Sequence, residues 1–188
     1  MLLYLKEYGK YAEITGFKNI KFVQVEAFLK ENRKEAQLRI ELQFFDAGLV
    51  ATQEHLYFAV LNALQAFQNR TNISKSLAVE EMLYASAQRQ IRKSIQRCGL
   101  KPETTSMAAV IVGENPAEIE TVLEAIAVCV GAEPDETVLA MSKAKLEKVK
   151  EAFQVNAEEI KTVMKNGNLD EAVVSLVVER VALLATKL

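Results

Sequence analysis

Between residues 37 and 45, Leu38, Ile40, Leu42 and Phe44 alternate with Gln37, Arg39, Glu41 and Gln43. A period of two predicts a strand with one face buried and one face wet, as in an antiparallel sheet. Residues 11–17 read as a shorter strand, residues 107–112 as a continuous apolar and therefore central strand, and residues 137–140 as one more short strand. Elsewhere the spacing is helical. Residues 23–33 place Val25, Phe28 and Leu29 on one side. Thr52 can cap a helix whose stripe is Leu56, Ala59, Val60, Ala63, Leu64 and Phe67. A break at residues 69–72 leads into a helical region at 75–98, stopped by Gly99 and Pro102. Asn115-Pro116-Ala117-Glu118 puts a cap, a proline at the first helical position and a carboxylate in helix-starting order. Ile119, Val122, Leu123, Ile126, Ala127 and Val130 follow, and Gly131 and Pro134 end that helix. Ser142, Asn156 and Asn168 open three more helices, the last running to about Ala185.

Helices outnumber strands and do not alternate with them regularly, which disfavours a doubly wound parallel sheet. The pattern predicts an α+β fold: a small antiparallel or mixed sheet packed with several helices, in a single domain over residues 1–188. A chain of 188 residues can bury a self-sufficient core, hiding roughly 70% of its unfolded surface. The net charge of −2 gives no global pull toward nucleic acid or membrane, so electrostatic binding has to come from local segregation. The N-terminal residues lack a signal-peptide pattern, and the apolar stretch 176–184 is interrupted by Glu179 and Arg180 and too short to span a bilayer. A cytoplasmic protein without a membrane partner is expected.

The chemistry is sparse. Cys98 and Cys129 form no C-x-x-C pair and read as reduced, buried thiols. His55 is the single histidine, poor material for a triad or a metal site, and is expected to make one hydrogen bond near a helix start. Glu80-Glu81 reads as exposed helix charge and Glu158-Glu159 as first-turn charge favoured by the helix dipole. No phosphate loop, dinucleotide fingerprint, zinc-protease or nucleophile-elbow motif occurs. The residues predict a binder with no cofactor, no metal and no catalytic residue.

Two features stand above this background. Residues 82–102 hold no acidic side chain, yet contain Arg89, Arg92, Lys93, Arg97 and Lys101. On a continuous helix Arg89, Lys93 and Arg97 stack into a basic ridge, with Ile91 and Ile95 on the buried side. Like charges spaced by four repel by a few tenths of a kcal/mol; a nucleic-acid backbone would offset this, with Tyr84 as a stacking surface, and a solvated basic face is the alternative. The second feature is the last helix, apolar around nearly its whole circumference. It is either buried centrally or docks one face on another protein.

The segments Gln43-Phe44-Phe45-Asp46-Ala47, His55-Leu56, Ala59-Val60, Ser74-Lys75-Ser76 and Ala85-Ser86-Ala87-Gln88-Arg89-Gln90-Ile91, in that order and spacing, resemble the Cgi-type subunit of the KEOPS complex, whose human relative is the PRPK-binding protein. A weaker stretch covers residues 135–139 and Val177-Val178-Glu179-Arg180-Val181-Ala182-Leu183-Leu184. The resemblance implies a non-catalytic subunit that binds the small atypical kinase/ATPase of the complex and helps recruit tRNA, by its single-stranded CCA tail, for threonylcarbamoyladenosine synthesis. Carried over by position, it points to Lys75, Arg89, Gln90, Ile91 and Arg92 for RNA and to Val177, Val178, Val181 and Leu184 for the kinase. Members of the family commonly carry a Ser-Gly step before the Arg-Gln-Ile block, whereas this chain has Ser86-Ala87. If that position needs φ > 0, the alanine costs about 1 kcal/mol. A homodimer built on the last helix, and a small-molecule enzyme using His55 with Glu80-Glu81, are the alternatives.

Overall fold

The computed structural model describes residues 2–32 and 40–186. Positions 37–39 of the alternating segment and Arg33 of the first helix lie outside the described residues. Four strands, β1 Leu2–Leu5, β2 Lys10–Lys18, β3 Glu41–Asp46 and β4 Ser106–Gly113, form one antiparallel sheet in the order β1-β2-β4-β3. β4 pairs Val110 with Ile14 of β2 and Ala109 with Phe44 of β3. The fold is α+β, as the pattern predicts. β1 has no clear signal in the sequence: its Leu2 and Tyr4 are exposed, and pairing with β2 is what makes it a strand.

The expected wet face is a correction. Both faces of the sheet are covered by helices. On one face Ala108, Val110 and Val112 of β4 join a large core with α2 Gln53–Asn69, α3 Leu77–Ala85, α6 Lys143–Phe153, α7 Ala157–Val163 and α8 Leu169–Leu183. On the other, Met107, Ala109 and Ile111 join a smaller core with α1 Phe22–Asn32 and α5 Pro116–Val130. A strand covered twice has no polar side to show, which is why residues 107–112 read as a solid apolar run. In β3 the alternation survives, but Phe44 faces the smaller core and Phe45 the larger. Its polar Glu41 carboxylate accepts hydrogen bonds from Ser76 Oγ (3.3 Å) and the Ala78 N–H (3.2 Å) at the start of α3.

The helix starts follow their caps. Thr52 accepts from the His55 N–H, Asn115 from Ala117, Ser142 from Lys145 and Asn168 from Glu171. Asn156 forms a full capping box with Glu159. Residues 137–140 are not a strand: Thr137, Val138 and Leu139 belong to a 3-10 turn, Glu136–Leu139, and Ala140 caps it. The Asp135 carboxylate accepts from the Thr137 N–H and hydroxyl, which tightens the chain, while the Asp135 N–H makes a bond of 2.7 Å to the Gly16 carbonyl on β2. That approach requires glycine at position 16: an added Cβ would sit 2.8 Å from Val138 Cβ.

The helical region at 75–98 divides. α3 ends at Ala85 and α4 spans Ile91–Cys98. The N–H of Ala87 bonds the Tyr84 carbonyl (2.9 Å) and that of Gln88 bonds Leu83 (3.0 Å), the crossed pair that closes a helix when the residue after its cap is left-handed. Ala87 is that residue, with φ +51°. α4 restarts with its own phase. Ser94 and Cys98 point inward, whereas Ile91 and Ile95, expected on the buried side, are 45% and 52% exposed. Among the described residues no helix is long and apolar enough to cross a membrane.

Candidate nucleic-acid and partner interface

The turn between α3 and α4 is fixed from below. His55 is fully buried at the start of α2, and its Nε2 lies 2.7 Å from the Ala85 carbonyl at the end of α3. Its Nδ1 accepts from the Ala51 N–H (3.1 Å), so the Nε2–H donates to Ala85 and the ring is neutral. Burial pushes its pKa down to about 4. His55 thus makes two hydrogen bonds where one was expected, and both ring nitrogens are engaged. The Ala85 carbonyl also lies 4.0 Å from the buried Cys98 thiol, whose pKa burial pushes up to about 12. Cys98 and Cys129 form no disulfide; the first is buried and the second half-buried.

Above this anchor, residues 89–93 are exposed without a break. Arg89 and Gln90 precede α4, Ile91 opens it and Arg92 follows. Arg89 therefore does not stack with Lys93 and Arg97 along one helix; the ridge expected from the sequence is shortened because the helix begins two residues later. Lys75 is exposed too, but it sits on the turn before α3, across the length of that helix, about 13 Å from the Arg89 end. The structure brings Arg89, Gln90, Ile91 and Arg92 together and leaves Lys75 apart.

The acidic pair of α3 explains that turn and corrects an expectation. Glu80 and Glu81 are both fully buried, not exposed helix charge. The Glu80 carboxylate accepts from the N–H groups of Ile73 (3.0 and 3.1 Å) and Ser74 (2.7 Å), holding the loop that carries Lys75. Among the described residues Glu81 has no hydrogen-bond partner, and desolvation, with the nearby Glu41 charge, raises its pKa well above the usual carboxylate range. Tyr84, expected as a stacking surface, is 5% exposed and packs in the larger core. Among exposed side chains at the turn, the apolar contact comes from Ile91.

The last helix resolves its two readings mostly inward. Val177, Val181 and Leu184, three of the four residues singled out for kinase contact, are fully buried in the chain's own core. They support the helix from beneath and have no surface to offer. Val178 is half-buried and lies on the outer strip with Val174, Ala182 and the 44% exposed Leu183. Arg180 ties the helix to α7 by an ion pair with Glu159 (2.8 Å). Leu176, Val177 and Val178 are all aliphatic, so side-chain type alone does not separate Val177 from Val178.

A family description, kinase binding protein CGI-121, matches residues 17–185. The chain is 28% identical over 156 residues to the regulatory protein Cgi121 of Methanocaldococcus jannaschii, covering 83% of this chain and 91% of that protein. It is 27% identical over 140 residues to the EKC/KEOPS complex subunit cgi121 of Aspergillus terreus, covering 72% of this chain and 71% of that one. The match runs through both cores, the α3–α4 turn and the outer strip of α8, and the chain belongs to the CGI-121 family of kinase-binding proteins.

Proposed function

We propose that this chain is a non-catalytic subunit of a KEOPS-type complex that binds the atypical kinase/ATPase subunit through the outer strip of α8 and holds tRNA by its single-stranded CCA tail at the start of α4. The observation that carries the RNA half is the unbroken exposure of Arg89, Gln90, Ile91 and Arg92, an aliphatic side chain between guanidiniums on a turn anchored by His55. Guanidiniums suit backbone phosphates, and an exposed isoleucine gives an unstacked base an apolar surface. Lys75 supplies a further phosphate contact only to a strand long enough to cross α3. The kinase half rests on family membership, on the names of the relatives and on the aliphatic strip of Val174, Val178, Ala182 and Leu183.

The test of the RNA half is tRNA binding by the Arg89→Glu/Arg92→Glu protein. Affinity should fall by at least about tenfold at moderate salt, and the slope of log affinity against log salt should shrink by about 2. Both side chains are exposed, so the variant should stay folded by circular dichroism. An unaltered tRNA affinity would reject this half.

A further inference from the structure

α4 has a second flank. Four residues apart, Lys93 and Arg97 stack along the helix about 6 Å from each other, on the side away from Ile91 and Ile95. They form one wall of a cleft of about 600 Å³, with Lys101 beyond the helix end and Lys148 on α6 opposite. Among the described residues Glu151 is the one carboxylate in that lining, against four cations. Among the described residues none of the four cations is in an ion pair with an acid. Arg97 is held in place: its guanidinium donates to the Ser86 carbonyl (2.8 Å) and lies 5.5 Å from the centre of the Phe153 ring. Most of its five N–H donors stay uncommitted.

Four gathered cations repel one another, and an anion in the cleft removes that cost. The cations are spread along two elements instead of converging on one point, which suits a chain of phosphates better than a single phosphate. Among the described residues no aromatic ring lines the cleft, so they offer a base nothing to stack on. We infer that this cleft takes backbone phosphates of an RNA, upstream of the single-stranded tail and without sequence preference. The inference rests on the reading of Arg89–Arg92 as the tail site. The two sites lie on opposite flanks of one helix about 10 Å thick, so one RNA can engage both.

The experiment compares two probes: a short single strand ending in CCA, and an RNA hairpin carrying the same strand as an overhang. The variant is Lys93→Gln/Lys101→Gln/Lys148→Gln, which leaves the anchored Arg97 in place. Its affinity for the single strand should stay within about twofold of wild type, while the hairpin binds about tenfold more weakly or worse and its salt slope falls by about 3. The Lys→Arg triple variant should restore hairpin binding, which separates lost charge from lost fold. Hairpin affinity and slope unchanged in the glutamine variant would overturn the cleft assignment. Wild-type protein that binds neither probe would instead remove the tail site, and this inference with it.

Discussion

Ala87 stands where the chain turns left-handed to end α3, at φ +51°. Left-handed backbone costs an L-residue about 1–2 kcal/mol, while the Ala87 methyl, although buried, returns at most about 0.8 kcal/mol. The strain wins, so Ala87→Gly should raise the unfolding free energy by up to about 1 kcal/mol, read as a higher urea midpoint at unchanged slope. A lower midpoint would mean that the methyl outweighs the strain. Two buried titratable groups oppose each other in pH. His55 has its pKa lowered to about 4 in the fold, against 6.5 unfolded, so its neutral form is native and its contribution, about 3 kcal/mol, is complete above pH 6.5 and lost as pH falls toward 4. Glu81 has its pKa raised above 4.5, so its protonated form is native and stability is lost as pH rises past 4.5. Glu81→Gln keeps the shape and removes the second effect. The variant should be more stable than wild type at pH 8 and should lose stability more steeply between pH 7 and pH 5. Parallel pH curves for the two proteins would show that Glu81 does not titrate this way.

At the scale of elements, α8 is a core helix with one narrow outer strip, so the core role of its valines can be tested separately from the proposed kinase contact. Val181→Asp buries an unpaired charge among apolar neighbours and should cost several kcal/mol, enough to unfold a marginal domain. Val178→Asp changes a half-buried outer position, so the protein should stay folded by circular dichroism while pull-down of the kinase partner is lost. Retention of the complex by the folded Val178→Asp protein would move the kinase contact off this strip. The exposed face of α4 depends on its separation from α3. Had the two been continuous, Ile91 and Ile95 would take the phase predicted for them, facing inward. The left-handed step at Ala87 resets the phase and turns them to solvent, with Ser94 and Cys98 taking the inward positions.

Over the whole molecule the net charge is −2, yet four cations and one carboxylate line the cleft between α4 and α6, and two further arginines border the α3–α4 turn. On the proposed reading, RNA binding at this face is a matter of local field, screened over about 8–10 Å at ordinary salt. Binding should weaken steeply as salt rises despite the acidic isoelectric point, whereas kinase binding through the aliphatic strip should change little over the same range. A flat salt response of RNA binding, measured by titration, would contradict a phosphate-based interface. The sheet shows the same dependence on context: β1 exists because β2 offers it a partner, and the smaller core exists because α1 and α5 cover the face that an alternating strand would leave to water.

The helix starts at Thr52, Asn115, Ser142, Asn156 and Asn168, the central position of β4 and the α+β class are legible in the chain itself. Each of these is local: a cap bonds the N–H groups two or three residues on, and an apolar run states its own burial. Tertiary structure alone decided that Glu80 and Glu81 are buried, that Tyr84 is core, that residues 137–140 form a turn, and that Val177 and Val181 face inward while Val178 does not. Those outcomes depend on which elements pack together across long stretches of chain. Along α8 the polar series Glu171, Ser175 and Glu179 marks the outer side, but between adjacent valines of one chemistry only the packing of the other elements decides which meets the core.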